Sequence, residues 1–357
     1  MLKCQVKYPF FIFTLDCTNI ILLDFRLMIA IKELAKIEKE ILKYSIGGLL
    51  YMSAFQKKVA EKIRRKSIKN LTSVAFCLED SIRDESLEEA EAFLKGTLQE
   101  LKKLSDEGEK LPLIFVRIRS PQHLKHYHEK IDSLSEILTG YVFPKFDLTN
   151  AEDYLKILNE LNNSRDKKFY IIPIFETENI ADISTRKDTL CKLKKFLDAS
   201  KDFVLNIHVG ANDFCNIYGL RRQINQTIYE IEVVRDILTD VLNVFAKDYV
   251  IAGVVWNYFG DTENFSWVDG LKRELELDKM NGFIGKSAIH PAQLPYIFEN
   301  MKVTKNDLDD ANLLLNWTSE KLGVMKSADG SRMNEVKCHL KWAKRIKVLS
   351  EIFGVKN

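Results

Sequence analysis

The apolar run "IIPIFETE" (171–178) carries a carboxylate at Glu176, and "VLNIHVGA" (204–211) is followed two residues later by Asp213. A carboxylate that closes a buried segment is costly unless a cation or hydrogen-bond donors meet it. The pattern recurs along the chain. Glu79 and Asp80 end "SVAFCLED", Arg117 and Arg119 end "LPLIFVRIR", Lys145 lies in "GYVFPKF", Asn257 follows "DYVIAGVVW", and His290 lies in "GKSAIHP". Glu176 and Asp213 are hard oxygen ligands of the kind Mg2+ takes, one or two carboxylates with waters and substrate oxygens completing the shell. Zinc would call for imidazole or thiolate, and neither accompanies them. Taken singly, each carboxylate could instead pair with an arginine, and Asp213 could cap the helix that follows it. Taken together they favour the metal.

Side chains so far apart in the chain converge only if one architecture brings the ends of their runs together. Short apolar runs begin near residues 47, 73, 111, 140, 169, 204, 248 and 285, and amphipathic, charge-rich segments such as "ESLEEAEAFLKGTLQELKKL" separate them. Strands separated by helices pair in parallel and are buried on both faces. Eight such units predict a closed (β/α)8 barrel, a TIM barrel, with the active site at the C-terminal ends of the strands. A doubly wound open sheet is the rival, but no GxGxxG or P-loop follows the first strand.

The barrel is expected over residues 45–300, after an N-terminal extension (1–44) and before a C-terminal helical region (301–357) that covers the barrel or a neighbouring subunit. Within the extension, residues 30–44 have helical spacing. Residues 1–27 read as loosely attached, disordered or not native, with Met28 as the alternative start.

The 357 residues carry a net charge of +2, which gives no bulk electrostatic case for nucleic acid or membrane. The apolar N-terminal runs are interrupted by Asp16 and Asp24 and fall short of a membrane span. Cys4, Cys17, Cys77, Cys191, Cys215 and Cys338 form no CxxC pair and read as reduced thiols of a cytoplasmic protein. His123, His126 and His128 in "HLKHYHE" read as a solvated helix face, the basic run 57–70 as an outer helix, His208 as core, and Lys286 as structural.

The stretches "LLYMSA", "CLEDSI", "FVRIRSP", "VFPKF", "IFETENI", "VGANDF" and "GFIGKSAIHPAQL" occur in an order that resembles the citrate lyase beta subunit, malyl-CoA lyase and HpcH/HpaI aldolase superfamily. The resemblance runs from about residue 46 to the C-terminus. "VVWNYFG" and "MNEVKCHLKWAKRI" are similar to its bacterial branch of TIM-barrel C–C bond lyases. The resemblance implies a divalent ion, Mg2+ with Mn2+ as the alternative, on Glu176 and Asp213. It also implies that Arg117 contacts the bound 2-oxo acid and its enolate, that Glu79 and Asp80 order the surrounding water and donors, and that Gly210, Ala211 and Asn212 line the substrate. Homo-oligomers, often trimers, are usual there.

This chain departs from the family's pattern at Cys77, Asn212 and the aspartate-free "VVWNYFG", and Arg119 is an added cation. The second arginine suits a more anionic ligand, such as a phosphorylated one, and coenzyme A is not assumed; the expected partner is a small-molecule carboxylate, with phosphorylated and CoA-linked forms as options. The expected activity is cleavage or formation of a hydroxy-acid adduct through an enolate of a 2-oxo acid or acyl group. Metal-dependent thioester hydrolysis and a non-catalytic metabolite-binding scaffold are the alternatives.

Overall fold

A parallel strand with packed side chains on one face and helices on the other must be apolar on both. Ser73–Cys77 and Gly140–Phe143 are buried at every residue, and apart from Ser73, whose hydroxyl donates to Ile46 O at 2.7 Å, they are apolar. The computed structural model describes residues 4–8, 11–15, 39–163, 165–319 and 321–356. Strands are numbered along the chain. In a first unit, Met1–Leu42, β1 (Cys4–Tyr8) and β2 (Phe11–Leu15) form an antiparallel hairpin. Of the helix expected over 30–44, residues 39 onward are helical. Its earlier part and Met28 lie outside the described residues.

The second unit, Lys43–Asn357, contains the barrel. Its strands are β3 (Gly48–Ser53), β4 (Ser73–Cys77), β5 (Leu113–Arg117), β6 (Gly140–Phe143), β7 (Tyr170–Phe175), β8 (His208–Val209) and β9 (Lys286–Ala288). They pair in parallel in the order β8-β7-β6-β5-β4-β3-β9. Residues 250–254 fill the gap between β8 and β9 through isolated parallel bridges, Ile207 to Ile251 and Gly253 to Lys286. The run "DYVIAGVVW" is therefore shorter as a strand than its apolarity suggests. At Gly253 a Cβ would stand 2.5 Å from Asp278 Oδ2, so close approach takes precedence over strand propensity.

Alternation divides each strand between two layers. Val74, Phe76, Ile114, Val116, Tyr141 and Phe143 join the apolar layer beneath the helices. Tyr51, Arg117 and His208 belong to the opposite set, which faces the barrel axis: Tyr51 on β3 meets both Arg117 and His208, although neither lies on a neighbouring strand. The helix Leu87–Asp106 shows how the outer layer is closed, burying Ala90, Leu94, Leu98 and Leu101 at helical spacing. Each buried leucine contributes about 1.5–3 kcal/mol of apolar burial. The basic run 57–70 is helical only over Val59–Arg64, because Lys58, Lys66 and Asn70 take φ of 59°, 50° and 57°.

Past the barrel, helices Lys305–Leu315 and Val336–Phe353 share a smaller core of Met301, Val303, Ala311, Leu314, Ala343, Ile346, Leu349 and Phe353. Arg332 ties this region together through Asp310 (2.7 Å) and Asp307 (2.8 Å). Among the described residues no helix is long and apolar enough to cross a membrane.

Candidate active site

β7 ends at Phe175, which places Glu176 at the barrel mouth with its side chain only 2% exposed. Its Oε1 accepts from the Lys145 backbone N–H (2.9 Å) and from Arg117 Nη2 (3.3 Å). Its other oxygen faces the turn after β8. There the Gly210 amide bonds Phe175 O at 3.0 Å, bringing the start of helix Ala211–Ile217 against β7. Asp213 sits in the first turn of that helix rather than at its cap. A Cβ built on Gly210 would lie 2.2 Å from Glu176 Oε2 and 3.0 Å from Asp213 Oδ2. The two carboxylates thus flank one spot that only a glycine leaves open, with oxygens no more than about 5 Å apart. Among the described residues Asp213 makes no salt bridge, so it is not locked to a basic neighbour.

The rest of the mouth is an ion-pair cluster. Arg117, at the end of β5, directs Nη2 at Glu79 Oε2 (2.7 Å), Asp80 Oδ2 (3.0 Å) and Glu176 Oε1 (3.3 Å). One N–H2 has two hydrogens for these three acceptors, while the buried Arg117 Nε has no partner. Lys145 Nζ pairs with Glu79 Oε1 and, at 3.1 Å, with Asp80 Oδ1. Lys145 adopts φ 47°, a left-handed conformation that costs a non-glycine residue roughly 1–2 kcal/mol. That twist lets one residue offer its amide to Glu176 and its ammonium to the acidic pair.

Four carboxylates (Glu79, Asp80, Glu176, Asp213) face two cations (Arg117, Lys145), which leaves two negative charges uncompensated. The proton affinities record this deficit. Burial pushes Glu176 up to about 8, and Asp213 and Glu79 push the same way against the pull of Arg117 and the Lys145 amide. Asp213 is raised by burial and by the charge of Asp80. Burial raises Glu79 as well. Asp80, against the upward push of burial, is held low by Glu79, Arg117 and Lys145. A divalent cation between Glu176 and Asp213 would restore neutrality, and the donor set fits a hard ion. No cluster of three or more His, Cys, Asp or Glu ligands occurs among the described residues, so such an ion would complete its shell with water and substrate oxygens.

Beneath this cluster lies a neutral layer. The Arg117 guanidinium stands 5.9 Å from the Tyr51 ring centroid, Tyr51 Oη approaches His208 Nδ1 at 3.5 Å, and Ser287 Oγ meets the same nitrogen at 2.8 Å. Burial, helped by Arg117, brings His208 down to about 3 and keeps it uncharged.

Two residues expected at the substrate are placed elsewhere. Arg119 donates to Leu78 O (2.6 Å) and Ile82 O (2.5 Å) and pairs with Asp84. It braces the turn that carries Glu79 and Asp80, and its guanidinium is not free to meet a more anionic ligand. The Ala211 methyl is buried in the apolar layer. Gly210 and Asn212 do reach the mouth, Asn212 as an exposed residue bonded to Asn257 (3.1 Å).

Outside the site, His123 corrects the reading of a solvated face: it is buried, bonds Glu91 at 2.9 Å, and accepts from the Arg119 amide. His290 caps the turn Pro291–Gln293 and stacks on Phe259 at 4.7 Å. Lys286 is fully buried between Glu274 (2.9 Å) and Asp278 (2.7 Å), a structural role. Arg222, in "GLRRQ", was not singled out from the sequence. Its burial depends on Glu274, which lies 52 residues away, and nothing local signals that.

The model of the C–C bond lyases of the TIM-barrel fold matches residues 40–355. The chain belongs to this family. It is a carbon–carbon bond lyase. The lyase shares its fold with the CitE protein of Mycobacterium tuberculosis, solved with magnesium, acetoacetate and coenzyme A (16% identity, 87% of this chain and 99% of that one, TM-score 0.57). A citrate lyase of Burkholderia xenovorans LB400 is similar over 87% of this chain and 93% of its own at 12% identity, with a TM-score of 0.63. RipC of Yersinia pestis is similar over 74% and 98% at 18% identity, with a TM-score of 0.50. No curated protein matches the lyase.

Proposed function

We propose that this lyase cleaves, or forms, the carbon–carbon bond of a small hydroxy-acid adduct through an enolate of a 2-oxo acid or acyl group, with Mg2+ or Mn2+ held by Glu176 and Asp213. The observation that carries the proposal is the close approach of the Glu176 and Asp213 carboxylates across Gly210, in a cluster of four carboxylates and two cations. The magnesium and acetoacetate bound by the M. tuberculosis neighbour support the same reading. A divalent ion there supplies Lewis-acid stabilisation of developing negative charge. The chain's own residues do the rest. Arg117, buried on three sides by carboxylates, exchanges one of them for the substrate's carboxylate and opposes charge on the enolate oxygen. Glu79 and Asp80, fixed by Lys145, orient Arg117 and stand where a proton can be accepted.

The test is release of a 2-oxo acid from hydroxy-acid adducts, followed as its hydrazone, with and without Mg2+. Metal-dependent release that falls at least 100-fold in Glu176→Gln is the expected result. Release that survives both chelation and Glu176→Gln would overturn the proposal, and release of a thiol alone would favour thioester hydrolysis.

A further inference from the structure

A backbone N–H only donates, so an imidazole nitrogen that accepts from one must carry a lone pair. His123 Nδ1 accepts from the Arg119 amide at 2.9 Å. Its Nε2 lies 2.9 Å from Glu91 Oε1, and a carboxylate only accepts, so Nε2 carries the proton. The tautomer is fixed from both sides, and a second proton on the ring would set N–H against N–H. Burial, against the pull of Glu91, holds His123 below the usual histidine range. Glu91 is buried as well, and its second oxygen meets Lys130 Nζ at 2.7 Å and His126 Nε2 at 3.5 Å. His123 stands three residues after Ser120, whose side chain caps the helix Pro121–Ile131. A glutamate or glutamine at that position commonly reaches back to the helix start. Here the ring reaches one residue farther, to Arg119, and Arg119 leads to the site. Its Nε donates to Leu78 O (2.6 Å) and its Nη2 to Ile82 O (2.5 Å). One guanidinium thus spans both ends of the turn that carries Glu79 and Asp80.

We infer that His123, oriented by Glu91, is a positioning residue of the lyase: its Nδ1 lone pair fixes the Arg119 amide, and Arg119 holds the turn 78–82 so that Glu79 and Asp80 meet Arg117 and Lys145. The inference rests on the proposed lyase reading and extends the site outward to the helices Leu87–Asp106 and Pro121–Ile131, which supply Glu91 and His123. Helix capping alone is the rival role for the same ring. The two differ in consequence, because a cap affects the stability of its helix, whereas a positioning residue changes turnover through the acidic pair.

Two substitutions separate these roles. The carbonyl of asparagine stands about where Nδ1 stands and still accepts from the Arg119 amide, while leucine accepts nothing. In the full chain, with 2-oxo acid release followed in saturating Mg2+ well below Tm, His123→Leu should lower kcat by about 10-fold or more and leave KM within about 3-fold. His123→Asn should restore kcat to within about 3-fold of wild type although it too loses the Glu91 contact. Added to Asp80→Asn, His123→Leu should cost much less than it costs alone, because the two act through one pair. Ring 15N resonances of the metal-free protein at about pH 7 should show a protonated Nε2 and a bare, hydrogen-bonded Nδ1. Full kcat in His123→Leu with a lowered Tm leaves a cap only and overturns the inference. Equal losses in the leucine and asparagine variants, losses that multiply in full with Asp80→Asn, or a protonated Nδ1 overturn it as well, and each leaves the lyase reading intact. If wild type releases no 2-oxo acid in a Mg2+-dependent way, the lyase reading itself fails and the inference falls with it.

Discussion

Replacing Glu176 with glutamine tests the electrostatic core of the site without requiring a substrate. A carboxyl that takes up its proton at about 8 in place of 4.5 binds it more tightly in the folded chain than in the unfolded one. Between those two pH values the folded state therefore holds more protons, and stability falls as pH rises, with the full penalty present above about pH 8. At about 1.4 kcal/mol per tenfold change in proton affinity, the charged side chain costs the metal-free fold roughly 4–5 kcal/mol at pH 9. Glutamine removes that cost and keeps the contacts. Its carbonyl still accepts from Arg117 Nη2 and the Lys145 amide, and its N–H2 faces Asp213. The lost attraction to Arg117 returns part of the gain, so Glu176→Gln should stabilise the metal-free protein by about 2–3 kcal/mol at pH 9, on the order of 5 °C in Tm. Near pH 5 the gain should be small. Urea or thermal unfolding at pH 5, 7 and 9, with and without millimolar Mg2+, measures it. Mg2+ should stabilise wild type and leave the variant unmoved. Equal effects of the substitution at every pH, or equal stabilisation of both proteins by Mg2+, would refute the reasoning.

Gly210→Ala should abolish Mg2+-dependent stabilisation, because its Cβ would displace Glu176 Oε2 from 2.2 Å; titration of Tm against Mg2+ shows it, and an unchanged midpoint would contradict the geometry. Lys286→Met should destabilise the fold by about 3–5 kcal/mol, because it leaves Glu274 and Asp278 buried without their shared cation. Denaturant unfolding measures that loss.

The barrel was legible because its strands are buried on both faces, and the periodicity of the intervening helices alternates with those runs. The closeness of the Glu176 and Asp213 carboxylates was legible for a related reason. Glu176 closes an apolar run, and that position is informative only when the ends of all the runs are known to meet. What escaped was set by tertiary partners. Arg119 follows Arg117 by two residues and so reads as a second ligand for the substrate, yet its guanidinium is satisfied by carbonyls of the turn 78–82. Ala211 lies between two mouth residues and is carried into the core by the first turn of a helix. His123 looked solvated amid charge, but Glu91 on the helix Leu87–Asp106 gives it a buried partner. The shortened strand at 250–254 reflects the requirement of Gly253 for a close neighbour, which composition alone does not reveal.

The charge deficit at the mouth explains why the surrounding scaffold is so heavily braced. Arg117 and Lys145 each pair with two or more carboxylates, yet together they neutralise only half of the acidic charge they face. Further built-in cations would lower the cost of folding and would also neutralise the carboxylates that the proposed divalent ion would use. The fold instead accepts a destabilised pair and holds it by means that carry no net charge into the mouth. These are a left-handed turn at Lys145 that aims an amide, a backbone-anchored arginine at 119, and a neutral histidine layer below Arg117. Such bracing keeps Glu176 and Asp213 from separating to relieve their repulsion. Under the proposed metal reading, affinity at this site would depend on the rigidity of its uncharged supports as much as on Glu176 and Asp213. On that argument, loosening the Tyr51–His208–Ser287 layer weakens Mg2+ binding although none of its atoms is a ligand.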